Sequence, residues 1–155
     1  MADILIIDDD PGLRRVMART LTGEGHLVHE VENGIAGLAA FDRFRPELVI
    51  TDMIMPEKEG IETIRHLRQL APTLPILAIS GTGNRTFFLH VAIALGADAS
   101  LEKPFYPAQL RKLVRDLLNP ARGAAELLPR LPGSDVIAAA VTSGREERPA
   151  DGALT

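Results

Sequence analysis

Apolar positions along the chain form short continuous runs that alternate with helical stripes. Ile4-Leu5-Ile6-Ile7 is such a run, rich in β-branched residues, and reads as a strand covered on both faces. Asp10-Pro11 follows as an N-cap and first helical residue, and Leu13, Val16, Met17 and Leu21 recur at helical spacing until Gly23 and Gly25. Leu27 to Val31 is a second strand, interrupted in polarity by His29 and Glu30. Asn33-Gly34 marks a turn, and Ile35, Leu38, Ala39 and Phe41 predict a short helix that ends before Pro46. Leu48-Val49-Ile50 is again a buried-strand run and leads into Thr51-Asp52. A loop from Met55 to Gly60 precedes the helical stripe Ile61, Ile64, Leu67 and Leu70. Pro75 to Ile79 is a fourth strand, ending in Ser80-Gly81-Thr82-Gly83. Arg85 to Leu95 predicts a helix stopped by Gly96, and Ala97 to Leu101 a fifth strand that runs into Glu102-Lys103-Pro104. Pro107 opens a last helix through Leu118, with Leu110, Leu113, Val114 and Leu117 inward. Strand and helix thus alternate five times, which predicts an α/β fold: a parallel sheet with helices on both faces.

After Asn119-Pro120 the pattern stops. Residues 120–155 carry Pro, Gly, Ala and scattered charge, with apolar patches only at Ala124 to Leu128 and Val136 to Val141. The expected division is one domain over 1–119 and a flexible C-terminal tail over 120–155.

Composition narrows the function. The 155 residues are 46% hydrophobic with 4% aromatics and no Trp, so aliphatic side chains must fill the core. The absence of Cys removes disulfides, thiolate metal sites and Cys nucleophiles, and suits a cytoplasmic location. No basic stretch precedes Asp3 and Asp8, so no signal peptide is expected. No apolar run approaches the roughly 20 residues of a membrane span, so no membrane insertion is expected. A formal net charge of −4 offers no basic field for direct nucleic-acid binding.

The candidate chemistry lies at strand ends. Asp8, Asp9 and Asp10 follow the first strand, Asp52 ends the third, Ser80 the fourth, and Lys103 follows the fifth. In a parallel α/β sheet all of these reach one edge, where such folds collect function. Clustered carboxylates need compensation, and oxygen-only ligands favour a hard cation, Mg²⁺ or Mn²⁺. A lysine and a hydroxyl beside them suit phosphoryl oxygens. No nucleotide-cradling Gly-rich motif is present, and a carboxylate nucleophile forming an aspartyl phosphate fits the set better. Taken singly, Asp10 is an N-cap, Ser80 a turn residue and Lys103 a solvated cation; their shared edge is what points to chemistry.

The segments "ILIIDDDPGLR", "LVITDMIMPEKEG", "PILAISG" and "GADASLEKPF" carry a resemblance. Over residues 2 to about 119 the chain resembles the receiver domain of bacterial two-component response regulators. The resemblance implies a flavodoxin-like, five-stranded parallel sheet of order 2-1-3-4-5. It implies Mg²⁺-dependent transfer from a phosphohistidine donor to Asp52, with the domain catalysing only its own phosphorylation and dephosphorylation. Asp9 would bind the metal directly, Asp8 largely through water, with Asp52 and the Ile54 backbone carbonyl completing the protein's share. Ser80 and Lys103 would contact the phosphoryl group, and no cofactor other than the metal is implied. The Lys103-Pro104 bond is commonly cis in that family. The implied partners are a histidine kinase or phosphotransfer protein and a downstream protein, docking near the fourth helix, fifth strand and fifth helix. Phe87, Phe88, Phe105 and Tyr106 are candidate anchors there. One departure stands out: the family's aromatic three residues before the lysine is Ser100 here. Two alternatives give these residues other roles or none. A haloacid-dehalogenase-type Mg²⁺ phosphatase would place its nucleophile in "DDDPG", and a passive receiver-like module would use none of them. His26, His29, His66 and His90 share no site-like spacing.

Overall fold

The computed structural model describes residues 1–55, 59–81 and 85–119. Ten elements alternate along it: β1 (Asp3–Ile7), α1 (Pro11–Gly23), β2 (Leu27–Val31), α2 (Gly34–Phe44), β3 (Leu48–Asp52), α3 (Glu59–Leu70), β4 (Ile76–Ser80), α4 (Arg85–Leu95), β5 (Ala99–Glu102) and α5 (Pro107–Leu118). All four strand pairings are parallel, and the sheet order is β2-β1-β3-β4-β5, as expected. The predicted tail, residues 120–155, lies outside the described residues.

Side chains of the central strands alternate between two cores. On one face Ile4, Ile6, Leu48, Ile50, Leu77 and Ile79 meet Met17 and Leu21 of α1 and Leu110, Val114 and Leu117 of α5. On the other, Leu5, Ile7, Val49, Ile76 and Ala78 meet Phe41 of α2, Ile64 and Leu67 of α3 and Ala92 of α4. Ile4 through Ile7 have no accessible surface, which is why that run shows no polar alternation. Each such side chain contributes about 1.5–3 kcal/mol of burial.

The helix ends follow local chemistry. The Asp10 carboxylate accepts from the backbone N–H of Gly12 and Leu13 and starts α1. Asn33 caps α2 through Ala36 N–H. Arg45 leaves α2 with φ 49°, a left-handed stop normally given to Gly or Asn. At α5 the Tyr106 N–H donates to Gln109 Oε1 at 2.8 Å, and the Tyr106 ring stands out in solvent.

Four positions in the expected helical stripes face outward instead. Val16, Ile35, Ala39 and Leu70 are exposed, whereas Met17, Ala18, Gly37, Ala40 and Phe41 point inward. At Gly37 a Cβ would collide with the Ile7 side chain, so α2 packs on the sheet through glycine and alanine rather than through Ile35. Arg68 secures the end of α3. Its guanidinium donates to the carbonyls of Pro72, Leu74 and Gly96 and to Asp98 Oδ2, which also accepts from Ile76 N–H.

Candidate acid-and-lysine site

Order 2-1-3-4-5 places the topological switch between β1 and β3, where the chain leaves in opposite directions and a crevice opens. β1 delivers Asp8 and Asp9 to that crevice, and β3 delivers Asp52. One carboxylate oxygen from each lies within 4.8 Å of the others. Asp8 and Asp52 are buried, while Asp9 opens to solvent. From the end of β5, Lys103 Nζ reaches Asp52 Oδ2 at 2.7 Å and Asp8 Oδ2 at 3.5 Å. The Lys103 N–H donates to the Ser80 carbonyl at 2.8 Å, so the ends of β4 and β5 are tied together beside the acids. The Lys103-Pro104 bond is cis. Structure therefore gathers Asp8, Asp9, Asp52, Ser80 and Lys103 on one edge. Asp10 is not among the clustered carboxylates; it caps α1.

The turn after β3 is tight. Asp52 Oδ1 accepts from Ile54 N–H at 2.9 Å, and the Ile54 side chain is half exposed. Gly60, at the start of α3, presses on this turn: a Cβ there would overlap the Asp52 carbonyl oxygen and the Met53 backbone. Backbone cannot yield as a flexible side chain can, so only glycine fits.

Electrostatics at the site are unbalanced. Asp8 Oδ1 accepts from Asp10 N–H at 2.8 Å, but Oδ2 is buried without a hydrogen-bond partner among the described residues. Burial pushes the Asp8 carboxyl above its ordinary value; the Asp10 N–H and Lys103 draw it down, and the negative charges of Asp52 and Asp9 add to the rise. Burial by itself would lower the Lys103 ammonium, yet its hydrogen bond and attraction to Asp52, with Asp8 behind, outweigh this and hold it above the ordinary lysine value. One lysine faces three carboxylates. An oxygen-only cluster with an orphaned buried oxygen is a donor set that a hard divalent cation satisfies.

Two contributors were not singled out from sequence. Arg14, on the wheel of α1, donates from Nη1 to the Asp8 backbone carbonyl at 2.6 Å. Gly60 looked like an ordinary loop end. Neither carries a sequence signal, because each acts on backbone atoms that only the fold brings near. Thr82 lies outside the described residues.

A parallel 2-1-3-4-5 sheet with acids and a lysine at its switch edge defines a receiver-like α/β domain. Comparison with known proteins makes the assignment specific. The model of the response regulator receiver domain matches residues 4–115. The KDP operon transcriptional regulatory protein KdpE of Escherichia coli is 33% identical over 136 residues, 88% of this chain and 60% of that protein. Response regulator MprA of a Mycobacterium species is 35% identical over 117 residues, 75% of this chain and 50% of that protein. The chain thus spans about half to three-fifths of the length of these relatives. Among solved structures, the receiver domain of NtrX from Brucella abortus superposes with a TM-score of 0.71 at 31% identity, covering 75% of this chain and 98% of that one. Chemotaxis response regulator CheY4 of Vibrio cholerae gives 0.70 at 29% identity, covering 76% and 98%. The chain belongs to the response regulator receiver domain family of two-component systems.

Proposed function

We propose that the domain accepts a phosphoryl group on Asp52 from a phosphohistidine donor in the cytoplasm, with Mg²⁺ held by Asp8, Asp9, Asp52 and the Ile54 carbonyl. The observation that carries this reading is the convergence on Asp52. It is the one clustered carboxylate that touches both the turn N–H of Ile54 and the Lys103 ammonium. An Asp52 oxygen forms the new O–P bond while the P–N bond to the donor imidazole breaks, and the imidazole leaves with a proton. The cation supplies charge neutralisation for the acids and the phosphoryl oxygens. Lys103, already against Asp52 Oδ2, is placed to move onto a phosphoryl oxygen. Ser80, buried at the end of β4, is placed to donate to another. Family membership sets aside the dehalogenase-type alternative. The self-directed chemistry makes the domain a stoichiometric acceptor rather than a turnover enzyme.

Output is proposed to pass through protein contacts on the face of α4, β5 and α5. Phe87 and Tyr106 are 58% and 77% exposed there, a size of exposed aromatic surface that suits anchoring. Phe105 instead packs against the α1–α5 core, and the Phe88 side chain lies outside the described residues. Acetyl phosphate with Mg²⁺ should add one phosphoryl group by intact mass. Asp52→Asn should abolish it; equal labelling of that variant would refute the assignment.

A further inference from the structure

We propose that Arg14 is a positioning residue that sets the metal affinity of the acid pair from behind, by clamping the peptide that joins Asp8 to Asp9. The proposal rests on the metal-and-phosphoryl reading above and deepens it.

Asp8 is held at nearly every polar atom. Its N–H donates to the Val31 carbonyl at 3.2 Å, and its Oδ1 accepts from Asp10 N–H. Its carbonyl oxygen accepts from Arg14 Nη1 at 2.6 Å. Only Oδ2 is left without a hydrogen bond, with the Lys103 ammonium 3.5 Å away. Arg14 is in turn steadied by β2: its Nε lies 3.6 Å from Glu30 Oε2, with 18% and 41% of the two side chains exposed. The guanidinium thus spans from the edge strand to the carbonyl that precedes Asp9.

The cluster needs such a clamp. Three carboxylates within 4.8 Å repel one another, and Asp9 is exposed beyond the end of β1, so the repulsion favours its displacement toward solvent. Binding a cation to a relaxed loop must first regather the acids, which weakens affinity. A positive charge near the site has the opposite effect, since it repels the cation. Glu30 largely offsets that charge, so geometry dominates. Arg is suited to this because its planar fork can serve two partners at once; a lysine ammonium can keep the charge but not span both.

The experiment measures Mn²⁺ binding to the metal-free protein by the EPR signal of free ion, alongside the Mg²⁺ dependence of acetyl phosphate labelling. Arg14→Gln and Arg14→Lys should both weaken Mn²⁺ binding by about tenfold, the size expected when a partner that orients a ligand is lost. Glu30→Gln should weaken it less, and the double variant should match Arg14→Gln. The labelling rate at saturating Mg²⁺ should stay within about twofold of wild type, because the acids, once gathered, are unchanged. Unchanged or tighter Mn²⁺ binding in both Arg14 variants would overturn the proposal, as would tightening in Arg14→Gln with no change in Arg14→Lys, the signature of charge alone. If Arg14→Gln does not fold, Arg14→Lys and Glu30→Gln decide on the same criteria. Wild-type protein that binds Mn²⁺ but does not label would refute the phosphoryl reading and leave the clamp standing on EPR alone. Wild-type protein that binds no Mn²⁺ would refute both.

Discussion

Asp8 shows how a single residue trades stability for chemistry. Its buried Oδ2 accepts no hydrogen bond, and Lys103 at 3.5 Å does not outweigh the cost of burial and the like charges of Asp52 and Asp9. Replacing it with Asn keeps an oxygen for the Asp10 N–H and removes the charge. Asp8→Asn should therefore stabilise the metal-free protein by about 1–3 kcal/mol at neutral pH. The sign follows from linkage. A carboxyl whose folded pKa is raised above the ordinary 3.8 gives its full stability below that value and loses it as pH rises through the folded pKa. The advantage of the variant should thus vanish in acid and grow as pH climbs past the ordinary carboxylate range. Urea titrations across that range check it; a variant no more stable than wild type at neutral pH would show that Oδ2 is satisfied in solution. At this scale sequence was informative about identity and silent about environment. Asp8, Asp9, Asp52, Ser80 and Lys103 were all legible from their strand-end positions. That Asp8 is buried while Asp9 is open was not, because adjacent residues on a strand end differ only in which side of the pleat they leave.

Among the elements, the strands were read more accurately than the helix faces. Buried parallel strands announce themselves as unbroken apolar runs, and β1, β3 and β4 did so. β2 is an edge strand, and its His29 and Glu30 are the polarity an edge tolerates: His29 Nε2 lies 3.0 Å from Asp3 Oδ1 and its ring stacks on Phe44. α2 forms where its apolar residues predict a helix, but of those residues only Leu38 and Phe41 pack on the core, because the close approach at Gly37 decides the packing and leaves Ile35 and Ala39 exposed. The ends of α3 and α4 depend on Arg68, which joins them to the start of β4 through Asp98. Arg68→Met removes a partner from a carboxylate that is 9% exposed and leaves several carbonyls short of donors. The expected cost is about 3 kcal/mol by urea unfolding, with labelling of Asp52 unaffected. A loss below about 1 kcal/mol would mean that water replaces the guanidinium at those carbonyls.

For the whole molecule, the described residues build two cores on either face of the sheet, and the last side chains to join them are Leu117 and Leu118 of α5. We therefore propose residues 1–119 as the folding unit. A chain ending at Asn119 should melt in one cooperative transition, within a few degrees of the full chain, and accept one phosphoryl group. A broad or strongly lowered transition would show that residues beyond 119 contribute to the packed fold. The sheet order was legible only through resemblance, since alternation predicts a parallel sheet but not which strands are neighbours.

The solvent-facing ring at the start of α5 has a practical consequence for optical spectroscopy. The chain has no Trp and one Tyr, so its near-ultraviolet emission beyond the faint phenylalanine background comes from Tyr106 alone. That chromophore stands three residues after Lys103, on the loop between β5 and α5. Quenching or anisotropy of unmodified protein therefore follows one loop, with no dye and no unfolding of signals from several sites. A change on loading with Mg²⁺ or phosphoryl donor, absent in Tyr106→Phe, would time the response of that loop directly.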